Sequence, residues 1–331
     1  MLKAPFPWFG GKRKVAAEVW KRFGDVKNYV EPFFGSGAVL LGRPKVAGNE
    51  TINDLDGYVA NFWRAVKHSP ETVAEWADNP VNENDLHARH VWLLQQRDSL
   101  RPRLEGDPDW HDAKIAGWWV WGISCWIGSG WCSGNGPWWV SDDRKLIHLG
   151  DNGQGVWRQR IHLGNNGEGV NRKLIHLGSN GQGDRSAALQ EWMQSLSRRL
   201  ERVRVASGDW SRVCGPSVTF KHGMTAVFLD PPYADTADRC ADLYREDSED
   251  VAHQVREWAI ENGTNPLLRI ALCGYEGEHE MPADWAVHAW NAGEGYGARA
   301  ADRSGNGKRE RIWFSPACIN SAQAPKQLGL L

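Results

Sequence analysis

The feature that most constrains the fold of this sequence is a continuous apolar run, Ala226-Val227-Phe228-Leu229, which stops at Asp230-Pro231-Pro232-Tyr233. A strand that is apolar at every position is buried on both faces, as the strands of parallel sheets are. Polar residues that directly follow such a strand lie at the carboxyl edge of the sheet, where open α/β sheets bind their ligands. The sequence therefore predicts an α/β domain with a ligand site at residues 230–233.

This tetrapeptide carries groups that can hold an amino group. Its prolines fix the backbone and have no N–H donors, so the carbonyl oxygens stay free to accept hydrogen bonds. Asp230 and the Pro231 carbonyl can accept from an exocyclic NH₂ and leave the nitrogen lone pair aimed at a methyl donor. Tyr233 offers an aromatic face to a base that has been taken out of a duplex. A proline-rich turn capped by an acid is the structural alternative.

A second strand-to-turn junction lies near the N-terminus, where Tyr29-Val30-Glu31 runs into Phe34-Gly35-Ser36-Gly37. A glycine turn between strand and helix lets a ligand approach the backbone closely. The third glycine of a dinucleotide fingerprint and the Gly-Lys-Ser/Thr of a phosphate loop are missing, which favours a ligand without phosphate, such as S-adenosylmethionine. An ordinary turn explains the pattern about equally well.

Acids and a lysine near this turn suit the same kind of ligand. Asp54 ends a second predicted strand, Glu50–Asp54, and an acid at that place suits a ribose diol. Asp56 is either a second ribose partner or a surface acid. Lys12 follows a run of aromatic residues and glycines, which is either an ordered tail or a cation next to a carboxylate-bearing cofactor.

The rest of the chain alternates helical and strand patterns, except in its middle. Helices are expected over residues 70–105, 110–128, 186–200 and 247–262, and strands over residues 203–205, 268–273 and 311–314. The chain has 20 tryptophans, many of them within residues 110–139, and we expect them to serve packing more than base stacking.

Residues 144–184 contain a 14-residue motif three times, each copy with an Asn-Gly pair between strand-like runs, which predicts a small antiparallel meander. Ile and Leu side chains share one face of the predicted strands. The other face carries Arg144, Arg158 and Arg172 together with His148, His162 and His176. No acid or cysteine completes a metal site with these histidines. We expect solvent or DNA on that face.

Composition narrows the class of protein. The net charge is −2, which argues against a protein that only coats nucleic acid, although locally basic stretches can still bind DNA. There is no long apolar run and no signal-peptide pattern, and the six cysteines form no CxxC pair. We therefore expect reduced thiols, no membrane association and a cytoplasmic location.

Five motifs occur in the order seen in one family: Trp8–Lys12, Glu31–Gly37, Asn53–Asp56, Gly208–Trp210 and Asp230–Tyr233. With them the chain resembles the DNA adenine methylase (Dam) family of bacteria and phages, over residues 1–65 and about 195–330. The resemblance implies a Rossmann-like fold that transfers a methyl group from S-adenosylmethionine to N6 of adenine in double-stranded DNA. It requires no metal, and no obligatory protein partner is evident.

The resemblance also implies roles for particular residues. Asp54 would hold the cofactor ribose, and Asp209 the amino group of the cofactor adenine. The cofactor would be surrounded by Trp8, Lys12, Phe33, Gly35, Asp54, Asp209, Trp210 and Asp230. The target base would be held by Asp230, Pro231, Pro232 and Tyr233.

Residues 1–65 and 195–331 are therefore predicted to form a discontinuous catalytic domain. Residues 66–194 are predicted to be an inserted target-recognition region, helical over 66–128 and repetitive over 144–184. This region matches no recognition domain known to us, and we expect Arg144, Arg158 and Arg172 to contact DNA phosphates, with a solvated meander as the alternative.

Four other functions stay open at this point. A cytosine-N4 methylase would use the same geometry, although that class more often has Ser in place of the first Asp. A methylase of structured RNA or of a protein side-chain amide would more often have Asn there. A DNA-binding module on an inactive methylase scaffold would need a broken cofactor site, and none is visible.

Overall fold

The structure is a computed structural model, and it describes residues 2–8, 11–45, 48–126, 131–132, 138–140, 146–148, 185–233, 250–291 and 309–320. In these stretches no helix combines the length and the apolar character that crossing a bilayer would need. The strands are β1 (Asn28–Glu31), β2 (Asn49–Asp54), β3 (Trp138–Val140), β4 (Leu146–His148), β5 (Val203–Ser207), β6 (Thr225–Leu229), β7 (Leu268–Tyr275), β8 (Ala286–Ala289) and β9 (Glu310–Phe314).

Seven of these strands form one sheet in the order β5-β2-β1-β6-β7-β9-β8. The five strands from β5 to β7 pair in parallel, while β9 runs antiparallel to both β7 and β8. Strands β1 and β6 are buried at every position. This confirms the Rossmann-like α/β fold and the buried parallel strand predicted before residue 230.

Helices cover both faces of the sheet. They are α1 (Ala16–Phe23), α2 (Ala38–Leu41), α3 (Gly57–His68), α4 (Pro70–Ala77), α5 (Glu83–Gly106), α6 (Ala113–Cys125), α7 (Arg185–Leu200) and α8 (Val251–Asn262). Successive side chains of a strand point to opposite faces. Accordingly Tyr29 packs in one core cluster with α1, α3 and α7, while Val30 packs in a second cluster with α8.

Two elements differ from the sequence-based prediction. The helix expected over 70–105 is two helices, because the linker between α4 and α5 contains Pro80, which has no N–H for a helical hydrogen bond. Asn82 then caps α5 by accepting from the backbone N–H groups of Asn84 and Asp85. Strand β8 was not predicted, since it is an edge strand without an apolar run.

The tryptophan-rich segment is the helix α6, as predicted. Trp119 and Trp121 are fully buried there, and Trp63 of α3 is buried beside them, so these tryptophans serve packing. The N-terminal segment joins the same core, because the ring of Phe6 lies 4.9 Å from that of Trp119 in an edge-to-face arrangement. Helices α3, α4, α6 and α7 thus pack together as one layer.

The predicted meander is described only at its beginning. Strands β3 and β4 pair antiparallel, with Trp139 opposite Ile147. The remainder of the meander, including Arg144, Arg158 and Arg172, lies outside the described residues, as do His162 and His176.

A buried ion triad ties the sheet to the helical layer. Glu50 of β2 is 1% exposed and lies 2.9 Å from the guanidinium of Arg43 and 2.6 Å from that of Arg199 in α7. The two arginines also donate to the backbone carbonyls of Val26 and Leu40. All charges of the triad are therefore paired and hydrogen-bonded, which is the condition under which burial of charge is tolerated.

Substitution of Glu50 by Ala should lower the free energy of unfolding by about 3–5 kcal/mol, because it leaves two buried arginines without their anion. Lys45→Ala is the control, since Lys45 pairs with Asp25 while its side chain is 73% exposed, and it should cost less than about 1 kcal/mol. Urea denaturation measures both. Equal losses in the two variants would contradict a structural role for the triad.

Candidate active site

The carboxyl ends of β1, β2, β5 and β6 lie side by side, because these strands pair in parallel. The polar motifs all follow these ends: the glycine turn after β1, Asp54 at the end of β2, Asp209 after β5 and Asp230 after β6. Strand β1 lies between β2 and β6, so the order of the sheet reverses there, and such a point is the usual ligand site of an open α/β sheet.

The glycine turn after β1 is held by three side chains. Gly35 has φ 49° and donates its N–H to Asp54 Oδ2 at 2.8 Å, while its carbonyl accepts from the indole of Trp63 at 2.8 Å. A Cβ on Gly35 would lie 2.4 Å from the indole nitrogen of Trp8. Trp8 therefore lies directly against the turn, and the turn requires glycine both for its dihedral angle and for this contact.

Asn53 connects two of the motifs. Its amide nitrogen donates to the Pro32 carbonyl at 3.0 Å and to the Gly208 carbonyl at 2.9 Å. The turn after β1 and the turn after β5 are therefore fixed relative to each other by one buried side chain.

The two acids after β2 have different local roles. Asp54 accepts from the N–H of Gly35 and, through Oδ1, from the N–H of Asp56 at 2.9 Å. Asp56 caps α3 by accepting from the N–H of Tyr58 at 2.8 Å. Each carboxylate oxygen has two lone pairs, so an acid at this place can accept from more than one donor.

Two aromatic rings lie beside these acids. Phe33 and Trp210 have their ring centroids 6.3 Å apart and their planes inclined by 28°. Asp209, which precedes Trp210, is exposed and accepts from the backbone N–H of Ser211 at 2.9 Å. The arrangement presents two nearly parallel apolar surfaces next to an accessible carboxylate.

The second half of the site is built on Lys12. Its ammonium lies 2.9 Å from Asp230 Oδ2 and donates to the Tyr233 hydroxyl at 3.0 Å. The Lys12 side chain is only 4% exposed, whereas that of Asp230 is 21% exposed. The resemblance implied Lys12 and Asp230 near the cofactor, and the structure brings these two residues into direct contact.

Tyr233 lies beneath this ion pair. Its hydroxyl is 3.2 Å from Asp230 Oδ1 and 2.8 Å from Glu310 Oε2, and its ring packs edge-to-face on Tyr275 with centroids 4.6 Å apart. Burial raises the pKa of Tyr233 well above its usual value, and the charge of Asp230 raises it further. The phenol therefore stays protonated and acts as a hydrogen-bond donor.

Two buried acids surround this network. Burial raises the pKa of Glu310, and the nearby ammonium of Lys12 opposes that rise. Burial also raises the pKa of Glu31 well above its usual value, although the hydroxyl of Tyr29 donates to Glu31 at 2.8 Å.

Glu310 was not predicted as a site residue from the sequence. It stands between Arg309 and Arg311 at the start of β9, just before the strand predicted over 311–314. In the local sequence Glu310 is simply an acid that precedes an apolar strand. A surface acid can have the same position, so this pattern does not indicate a site residue.

Comparison with known proteins finds one family that the N-terminal part of the chain is similar to. Residues 8–104 match the family model of the D12 class N6 adenine-specific DNA methyltransferases. Over these residues the chain is similar to the adenine-specific DNA methyltransferases, which supports the resemblance seen in the sequence motifs. No curated protein matches the chain.

The family decides between the open alternatives. The methyltransferase acts on N6 of adenine rather than N4 of cytosine, on DNA rather than RNA or protein, and as an enzyme rather than an inactive scaffold. S-adenosylmethionine is the methyl donor that the family implies. The match includes Trp8, the glycine turn and Asp54, and β-sheet pairing brings the motifs beyond residue 104 to the same edge.

Substitution of Gly35 by Ala should lower the free energy of unfolding of the methyltransferase by about 1–3 kcal/mol, since φ is positive and the new Cβ overlaps Trp8. Gly215→Ala is the control, because a Cβ there meets no atom within 4 Å, and it should be neutral or stabilise slightly. Urea denaturation of both variants tests this. A Gly35→Ala protein as stable as the control would show that the turn does not need glycine.

Proposed function

We propose that Asp230 and the Pro231 carbonyl hold the N6 amino group of an adenine that has been taken out of double-stranded DNA. The observation that carries the proposal is the ion pair of Lys12 with Asp230. Lys12 occupies Oδ2. The other oxygen, Oδ1, lies 3.2 Å from the Tyr233 hydroxyl and has two lone pairs, so it can also accept from a substrate N–H. The ring of Tyr233 would form the floor under the base, with its hydroxyl anchored below.

S-adenosylmethionine fits the other half of the site. The glycine turn allows close approach to backbone, and Asp54 at the end of β2 suits the ribose hydroxyls. The nearly parallel rings of Phe33 and Trp210 suit a flat purine, and the accessible carboxylate of Asp209 suits its amino group. The indole of Trp8, which lies against Gly35, would cover the glycine turn.

Lys12 has a different part in this proposal from the one suggested by the sequence. Its ammonium already contacts Asp230 and Tyr233, so its task is to fix Asp230 in place.

The chemistry needs positioning and electrostatics more than a strong base. S-adenosylmethionine supplies an electrophilic methyl group when it is bound. Asp230 and the Pro231 carbonyl accept the two N–H bonds of adenine N6 and direct its lone pair at that methyl group. As the N–C bond forms and the S–C bond breaks, positive charge develops on N6, and the carboxylate of Asp230 stabilises it. One proton then leaves N6 toward Asp230, because the amino group has become acidic.

Recognition of the DNA sequence is proposed to reside in residues 66–194, between the two parts of the catalytic domain. The helices α4 and α6 of this region pack against α3 and α7, so its helical part has a firm attachment to the sheet. Arg144, Arg158 and Arg172 are proposed phosphate contacts. The substrate is DNA, so we propose the cytoplasm as the place of action.

Substitution of Asp230 by Ala should lower the rate of DNA methylation by at least about 100-fold, because the group that holds and stabilises N6 is lost. Affinity for S-adenosylmethionine should change little. Asp284→Ala, an exposed acid outside the site, is the control and should keep full activity. Nucleoside analysis of treated DNA should show N6-methyladenine with the wild type and the control. N6-methyladenine at wild-type level with Asp230→Ala would refute the proposed role.

A further inference from the structure

Glu310 is a buried acid at the active site that none of the sequence motifs contains. It is the first residue of β9 and pairs across the sheet with Tyr275 at the end of β7. Its side chain is 4% exposed, and its Oε2 lies 2.8 Å from the Tyr233 hydroxyl and 3.9 Å from the Lys12 ammonium. It therefore reaches Lys12 and Tyr233, two of the residues that contact Asp230.

The Tyr233 hydroxyl has one hydrogen and two acceptors that compete for it. It can donate to Glu310 Oε2 at 2.8 Å or to Asp230 Oδ1 at 3.2 Å, while it accepts from Lys12. Both acceptors are carboxylate oxygens, and the shorter distance favours Glu310. The hydrogen therefore points away from Asp230 Oδ1.

We infer that Glu310 is a positioning residue, which keeps the Tyr233 hydrogen off Asp230 Oδ1 so that this oxygen stays free to accept from adenine N6. The inference rests on the proposed function, since it needs Asp230 to hold the target amino group. Glu310 does not touch the substrate in this arrangement. Its hydrogen bond with Tyr233 carries the positioning role, and its 3.9 Å contact with Lys12 is a separate electrostatic one. With Glu310 neutralised, the phenol hydrogen would turn to Asp230 and compete with the substrate.

The rate of methyl transfer should depend on whether Glu310 is ionised, and the charged groups that face Glu310 influence its pKa. They are Lys12, Asp230 and Glu278, together with the phenol of Tyr233. The pKa of Glu310 is raised, mainly by burial, so this carboxylate becomes protonated at a higher pH than an ordinary glutamate. As the pH falls through that raised pKa, Glu310 ceases to attract the phenol hydrogen, and the rate of methyl transfer should fall with it.

The test is a double-mutant cycle of Glu310→Gln with Tyr233→Phe in the full chain, with adenine-unmethylated genomic DNA as substrate. Glu310→Gln should lower kcat by about 10- to 100-fold in the wild-type background. Its effect should shrink to less than about threefold in the Tyr233→Phe background, where no phenol hydrogen remains to be held. Affinity for S-adenosylmethionine should stay within about twofold of wild type. The matched control is Glu276→Gln, an acid 64% exposed and paired with Arg311, which should leave kcat unchanged.

A purely structural role for Glu310 predicts the same loss in both backgrounds, and that result would overturn the inference. An unchanged kcat in Glu310→Gln would also overturn the inference. If Asp230→Ala is inactive in the same experiments, the proposed role of Asp230 is unaffected. An active Asp230→Ala would instead refute the proposed function itself.

If Glu310→Gln fails to fold, the pH dependence of kcat carries the test. Loss of the phenol hydrogen bond raises the pKa of Glu310 further. The acid limb that comes from Glu310 should nevertheless be absent in Tyr233→Phe, because protonation of Glu310 no longer releases a phenol hydrogen toward Asp230. Coincident limbs would overturn the inference.

Discussion

The active site depends on a positive charge held where water hardly reaches. Removing an ammonium from water costs several kcal/mol, and only well-placed anions offset that cost. Lys12 meets the condition with Asp230 at 2.9 Å and Glu310 at 3.9 Å. The same contact that makes the burial of Lys12 tolerable also fixes the carboxylate that faces the substrate, so the stability of this region and the orientation of Asp230 have one cause.

The cofactor half of the site depends on hydrogen bonds between loops. Asn53 joins the turns after β1 and β5, and Asp54 and Trp63 fix the two polar groups of Gly35. These loops follow strands that pair in parallel, and the core on both faces of the sheet fixes the register of the buried ones. A rigid sheet therefore carries loops whose polar groups are fixed before any ligand arrives, which lowers the ordering cost of binding.

The sequence predicts most of the sheet, because apolar runs that end in polar motifs are local signals. The positions of the glycine turn, Asp54 and Asp230 along one edge follow from those strands. The contact of Lys12 with Tyr233 joins residues 221 positions apart, and no local pattern encodes it. Glu310 was missed for the same reason, since β9 is brought to the site by antiparallel pairing with β7. Strand β8 was missed because its half-exposed edge position needs no apolar run.

The most direct test of the account is a crystal structure of the methyltransferase with adenine-containing double-stranded DNA and a non-reactive analogue of S-adenosylmethionine. The account predicts a flipped adenine whose N6 lies within hydrogen-bonding distance of Asp230 Oδ1 and the Pro231 carbonyl, with Lys12 still on Oδ2 and the analogue between Phe33 and Trp210. A structure in which Lys12 has left Asp230 to bind the carboxylate of the analogue, with N6 held by other groups, would contradict it.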